Sequence, residues 1–293
     1  MTVQDGDTKP VHFPAFRSYL RARETINDEL MALVVAAGVA SEATAESPKD
    51  TLLPKVAPSA AEVERLNQTV ARARALWSDA PSAVARTAIP YVLSVYGVYL
   101  ADAVGLRKGL DQDQEPHEPD DTYLHTLHQR IETATGTTLP AREIALFGLI
   151  QLVRNRLAHQ AGTPGSKLRS KWAQLNTDAK DEWVRVAGRP ILDALLAADK
   201  PIDLQTGELN AVLAITHRLA HRVNAALAAS VATDTWAEIV VQDYRELWPR
   251  RYGNETERPR RLRGYAQHSY SPLHLTEHDL IEAARRVDVL YRD

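Results

Sequence analysis

Residues Pro140 to Gln160 read PAREIALFGLIQLVRNRLAHQ. Ile144, Phe147, Ile150, Val153 and Leu157 recur at three- and four-residue steps, the spacing of one helix face. Pro140 suits a first helical turn. Gly162-Thr163-Pro164-Gly165 supplies a stop. A helix with so regular an apolar face needs other helices to cover it, and the chain offers them. Residues 14–38 carry Phe16, Leu20, Ile26, Leu30 and Leu33, with Gly38 as a stop. Residues 59–77 open on Ser59 with Glu62 as a capping-box partner. Residues 82–106 are more apolar, and Pro90 predicts a kink or a division there. Further helices are expected at 121–134, 177–187, 189–198, 206–231, 234–248 and 276–291, the last with Thr276 and Asp279 at its entry. Segments 39–58 and 107–121 read as connections. No stretch alternates with period two. The expected fold class is all-α, a helical bundle packed in antiparallel or oblique pairs.

Composition agrees. Of 293 residues, 44% are hydrophobic and 25% charged, with only 13 glycines and 3 phenylalanines. That balance favours helices and an ample core. The chain reads as an N-terminal helical region (1–80), a helical core (81–232) and a C-terminal helical, basic extension (233–293). Formal net charge is −3, so any nucleic-acid surface must be a local basic patch. There is no cysteine. Disulfides, thiol nucleophiles and thiolate-bound zinc are therefore excluded. The start of the chain, with Asp5, Asp7, Lys9 and Pro10, is polar and lacks a signal-peptide core. No apolar run reaches the ~18 residues that span a bilayer. A cytoplasmic protein with no membrane association is expected.

The end of the 140–160 helix places chemistry on this scaffold. Arg154, Asn155 and His159 supply a fixed cation, a carboxamide and a titratable imidazole. On an ideal helix Asn155 and His159 lie ~40° apart, whereas Arg154 and His159 lie ~140° apart and ~7.5 Å along the axis. The arginine must therefore wrap toward the face of the other two, or the last turn must loosen. An imidazole at a helix C-terminus is suited to proton transfer near neutral pH. Arginine can grip phosphate oxygens through two parallel hydrogen bonds. Together these groups suit cleavage of RNA by its own 2′-hydroxyl, which needs positioning and charge stabilisation but no metal. DNA would be bound but not cut. One helix brings only one such histidine, so a two-fold homodimer with a composite site is expected.

The run Leu152-Val153-Arg154-Asn155-Arg156-Leu157-Ala158-His159 resembles the Arg-Asn-x3-His signature of the HEPN superfamily. Its members are all-α bundles, many of them metal-independent ribonucleases in toxin–antitoxin, abortive-infection and CRISPR defence systems. The resemblance implies a HEPN-like core with additional N- and C-terminal helices. It implies Arg154 and His159 as catalytic residues and Asn155 as their orienting partner, in a cleft at a dimer interface. It implies RNA as substrate, no cofactor or metal, and an antitoxin or defence-system partner. One subgroup carries a tyrosine two residues after the histidine; Ala161 stands there in this chain. Some members are not nucleases, so a non-catalytic HEPN-like interaction module is the alternative.

Other features are weighed against this motif. Arg156-Leu157-Ala158-His159 recurs as Arg218-Leu219-Ala220-His221, which reads as coincidence between common residues. Arg263 and His268 repeat the bare spacing in a Gly- and Tyr-containing stretch not expected to be helical. His217 and His221 stand four apart, a spacing that can bind zinc, but with no accompanying motif. Arginines 250, 251, 258, 260, 261 and 263, with Tyr252 and Tyr265 interleaved, suit single-stranded RNA. Arg156, Arg250, Arg251, Arg260 and Arg261 are accordingly the expected RNA-binding residues, and the bland reading is a solvated basic loop. His125 and His128 read as surface residues. Phosphate-loop, dinucleotide and serine-elbow motifs are missing.

Overall fold

The structure is a computed structural model that describes residues 9–108, 123–159, 163–188, 202–252 and 257–290. The helices are α1 (Pro14–Ala43), α2 (Leu53–Val56), α3 (Val63–Leu66), α4 (Val70–Ser78), α5 (Ala80–Lys108), α6 (Tyr123–Thr135) and α7 (Ala141–His159). They continue as α8 (Ser166–Gln174), α9 (Thr177–Ala187), α10 (Thr206–Ser230), α11 (Thr233–Leu247), α12 (Pro249–Tyr252), α13 (Arg258–Ser269) and α14 (Glu277–Leu290). Among the described residues no strand forms, and the only β feature is an isolated bridge between Leu52 and Thr69. The fold is all-α, as expected. The expected helix at 189–198 and most of the 107–121 connection lie outside the described residues.

Several local expectations are corrected. No capping box forms at Ser59. Glu62 has φ 61°, and the next long helix, α4, is capped by Thr69, which accepts from the Arg72 N–H at 3.3 Å. The segment read as 59–77 is thus two helices broken at Asn67, whose φ of 33° is also left-handed. Pro90 lies inside a continuous α5. Helix α8 was not expected; only Leu168 and Trp172, four apart, are buried along it. Helix α13 overturns the reading of the Arg263–His268 stretch as non-helical. α5 is also long and apolar enough to cross a membrane by length and composition, with half of its most apolar window buried in the fold. The uncharged run within it, Thr87 to Ala101, is itself shorter than the ~18 residues of a span.

The chain forms two compact units, one of Met1–Ala22, Ser94–Ala145 and Ile215–Asp293, the other of Arg23–Leu93 and Leu146–Ala214. α1, α5, α7 and α10 each give residues to both.

The first unit has an aromatic core. Phe13 lies 5.7 Å from Trp236 and 6.3 Å from Tyr99, and Tyr19 stacks on Tyr99 at 5.2 Å. Such rings bury large areas and add geometric preference to that burial. The segment before α1 is clamped by Asn224, which accepts from the Val11 N–H at 2.9 Å and donates to its carbonyl at 2.7 Å. Buried Asp243 accepts from both Arg17 guanidinium nitrogens, at 2.6 and 2.8 Å, and from the Tyr265 and Tyr270 hydroxyls at 2.5 and 2.6 Å. This pairing raises the Arg17 pKa, while burial first and Asp243 second raise those of both tyrosines. Both carboxylate oxygens are hydrogen-bonded, Oδ2 three times and Oδ1 once, and the charge is paired with a cation, which is what a buried charge requires.

The second unit holds most of α7 and all of α8 and α9. Leu146, Phe147, Leu149, Ile150 and Val153 are buried along α7, whereas Ile144 and Leu157, at its two ends, are half-buried. The helix is therefore covered over a wider arc than the regular stripe suggested. Gly207, in the first turn of α10, faces the Ala187 carbonyl so closely that a Cβ would sit 2.2 Å from its oxygen.

Candidate functional site

α7 ends at His159. Its last two turns carry the Arg154, Asn155 and His159 side chains, and all belong to the second unit. The Arg154 guanidinium donates from Nη1 to Asn155 Oδ1 at 3.1 Å. The helix stays regular through His159, so the last described turn does not loosen. The bond draws the guanidinium toward the Asn155 side chain, and Asn155 and His159 lie ~40° apart on an ideal helix. Arg154 and Asn155 are half-buried, and His159 is exposed. Among the described residues Arg154 enters no ion pair, and the His159 side chain makes no hydrogen bond. The constellation is thus a cation oriented by a carboxamide, beside an imidazole open to solvent.

Arg156 has a different environment. Its guanidinium lies against Gly165, the residue before α8; a Cβ there would fall 1.9 Å from Nη2. Farther along, Lys171 of α8 crosses α7 at Gly148, where a Cβ would meet its Cε at 3.2 Å. Position 156 thus meets 165 and position 148 meets 171, so α7 and α8 form an antiparallel hairpin. This hairpin places the exposed Lys167 and half-buried Lys171, four residues apart, on one flank of α8. The sequence pattern did not single out these lysines. The signal it offered was the lack of any acid between Glu143 and Asp178.

The other expected RNA-binding residues belong to the first unit. Arg250, Arg251 and Arg260 are exposed. Arg261 pairs with Glu257, Arg258 with Asp288 at 2.7 Å and Arg263 with Glu277 at 3.4 Å. On a helix, positions 258, 260, 261 and 263 point in four directions. The arginines of α13 therefore form no single basic face.

The echo segment packs as core. Leu219 and Ala220 are fully buried. His221 stands edge-on to Phe16 at 5.2 Å and to His217 at 4.4 Å, and Arg218 lies 4.0 Å from buried Glu143. Among the described residues no group of three or more His, Asp or Glu side chains is arranged to hold a metal ion. His128 corrects its reading as a surface residue. It is buried, with Nε2 at 2.8 Å from the Tyr96 hydroxyl, and desolvation first and His125 second push its pKa down to about 3. His125 is exposed and pairs with Gln129 at 3.1 Å.

No protein-family model, curated protein or solved structure matches this chain.

Proposed function

We propose that the protein is a HEPN-like, metal-independent endoribonuclease that acts as a toxin or a defence effector. One observation carries this reading. Arg154 is turned onto Asn155, beside an exposed His159. A structural role for the motif would bury the imidazole on a carbonyl and lock the guanidinium in an internal ion pair. Neither arrangement is present among the described residues.

In the proposed reaction a base takes the proton of the RNA 2′-hydroxyl and the 2′-oxygen attacks phosphorus. The new P–O2′ bond forms as the P–O5′ bond breaks. An acid returns a proton to the departing 5′-oxygen, so the step is proton-neutral overall. His159 fills one of these roles and His159 of a second copy fills the other. Arg154 holds the non-bridging oxygens as their charge grows. Asn155 keeps the guanidinium on the reacting face. The proposed working form is a homodimer with the two α7 ends meeting at one cleft, with RNA as substrate and an antitoxin or defence component as partner.

The test uses single-stranded RNA with a chelator present. The parent should cut, and Arg154→Ala and His159→Ala should each lose at least ~100-fold in rate, the scale of one general acid–base group or one oxyanion contact. Equal rates in all three proteins would overturn the proposal.

A further inference from the structure

Glu143 and Asp178 bound a run of 34 residues that contains no acid. Within it stand Arg154, Arg156, Lys167, Arg169 and Lys171, together with His159. In a molecule of net charge −3 this is a local concentration of cations. The antiparallel register gathers it onto the α7–α8 hairpin. Gly148, Asn155 and His159 share one face of α7 within ~40° on an ideal helix. Lys171 lies on that face at Gly148, about two turns before Asn155. Lys167, exposed and one turn nearer the hairpin corner, falls between the two close approaches. The aromatic side chain of α8, Trp172, is buried and offers no base a stacking surface.

We propose that the flank of the α7–α8 hairpin bearing Lys167 and Lys171 is the track for the phosphate backbone of single-stranded RNA. It would hold the phosphates next to the one seated at Arg154. This rests on the reading of Arg154 and His159 as the cleavage site. A row of cations without an exposed aromatic reads charge and spacing, not bases. The track therefore binds RNA without sequence preference and takes DNA of equal length about as well. Any discrimination between them comes from the 2′-hydroxyl at the cleavage step. The helical arginines of α13 are assigned no part in it, because three of them already meet carboxylates.

The experiment measures binding of a fluorescent 2′-O-methyl oligouridine, which cannot be cleaved, across a salt series. Cleavage of the unmodified oligomer is followed in parallel. Lys167→Ala/Lys171→Ala should lower the salt slope by about 1.4, or about 0.7 for each lost phosphate contact. That slope corresponds to about 25-fold weaker binding at 0.1 M salt relative to 1 M. Lys167→Arg/Lys171→Arg should bind like the parent, and so should Arg260→Ala/Arg261→Ala. Lys167→Ala alone, at an exposed position, should show half the change in slope if the double variant fails to fold. An unchanged slope and affinity in a folded lysine variant overturns the track, and leaves the nuclease reading intact if the parent still cuts. Lysine-dependent binding by a parent that does not cut removes the nuclease reading and keeps the track. A parent that binds neither oligomer removes both.

Discussion

Burial of the His128 imidazole makes stability depend on pH. His128 has a pKa of about 3 in the fold, against about 6.5 when exposed. Above pH 6.5 the group is neutral in both states and costs nothing. Between 6.5 and 3 the unfolded chain takes a proton that the folded chain refuses. Stability should therefore fall with acidity by up to about 1.4 kcal/mol per pH unit from this group. His12, lowered by burial and then by Arg17, adds a contribution of the same sign. Urea titrations at pH 7 and 5 should show a shallower loss for His128→Gln than for the parent; identical profiles would contradict the assignment. Asp243→Asn should cost about 3–5 kcal/mol in the same assay, because it strands Arg17 beside the two tyrosine hydroxyls. Neither residue was legible beforehand. Arg17 and Asp243 lie 226 positions apart, and nothing local marks an aspartate that will be enclosed. That Arg154, Asn155 and His159 stand on one helix was legible, because the apolar spacing that marks α7 runs through them.

At the scale of elements, close approach matters more than propensity. Gly207 meets the Ala187 carbonyl, a backbone atom that cannot swing aside. Gly207→Ala should therefore destabilise the protein by about 1–3 kcal/mol, although alanine is the better helix former. A stable variant would show that α10 does not sit against the end of α9 as described. The entry to α14 offers a milder test. Thr276 and Asp279 cap each other, with Thr276 donating to Asp279 at 2.7 and 2.8 Å and the Asp279 N–H reaching back to Thr276 at 3.2 Å. Thr276→Ala should cost about 1 kcal/mol in thermal or urea unfolding. That cap was readable, because both of its partners lie within one turn. The same logic failed at Ser59 and Glu62, where the chain turns through a left-handed glutamate. It failed too for α8 and α13. In α13 the buried side chains are only Leu262, Ala266 and Ser269; the Tyr265 hydroxyl on Asp243 and the Arg258–Asp288 and Arg263–Glu277 pairs add tertiary contacts to them. The buried positions do keep helical spacing, but two or three of them in a charged segment make a weak periodic signal.

For the whole molecule, the all-α class followed from α7 and its neighbours, and from a composition with abundant alanine and little glycine or phenylalanine. The grouping into two compact units did not, because four long helices each give residues to both and no linker composition marks a boundary. The functional account adds a claim about assembly. One α7 carries one His159, so full activity should appear only in a dimer. Sedimentation of the active fraction should give twice 32.5 kDa; a monomer of undiminished activity would contradict the composite site. The central claim, that Arg154, Asn155 and His159 cut RNA through its own 2′-hydroxyl, is tested most directly by the chemistry of the ends produced. Mass spectrometry of RNA digested in the presence of a chelator should show 2′,3′-cyclic phosphate and 5′-hydroxyl termini with the parent, and intact RNA with His159→Ala. Intact RNA with both proteins, or fragments ending in 3′-hydroxyl and 5′-phosphate, would contradict it.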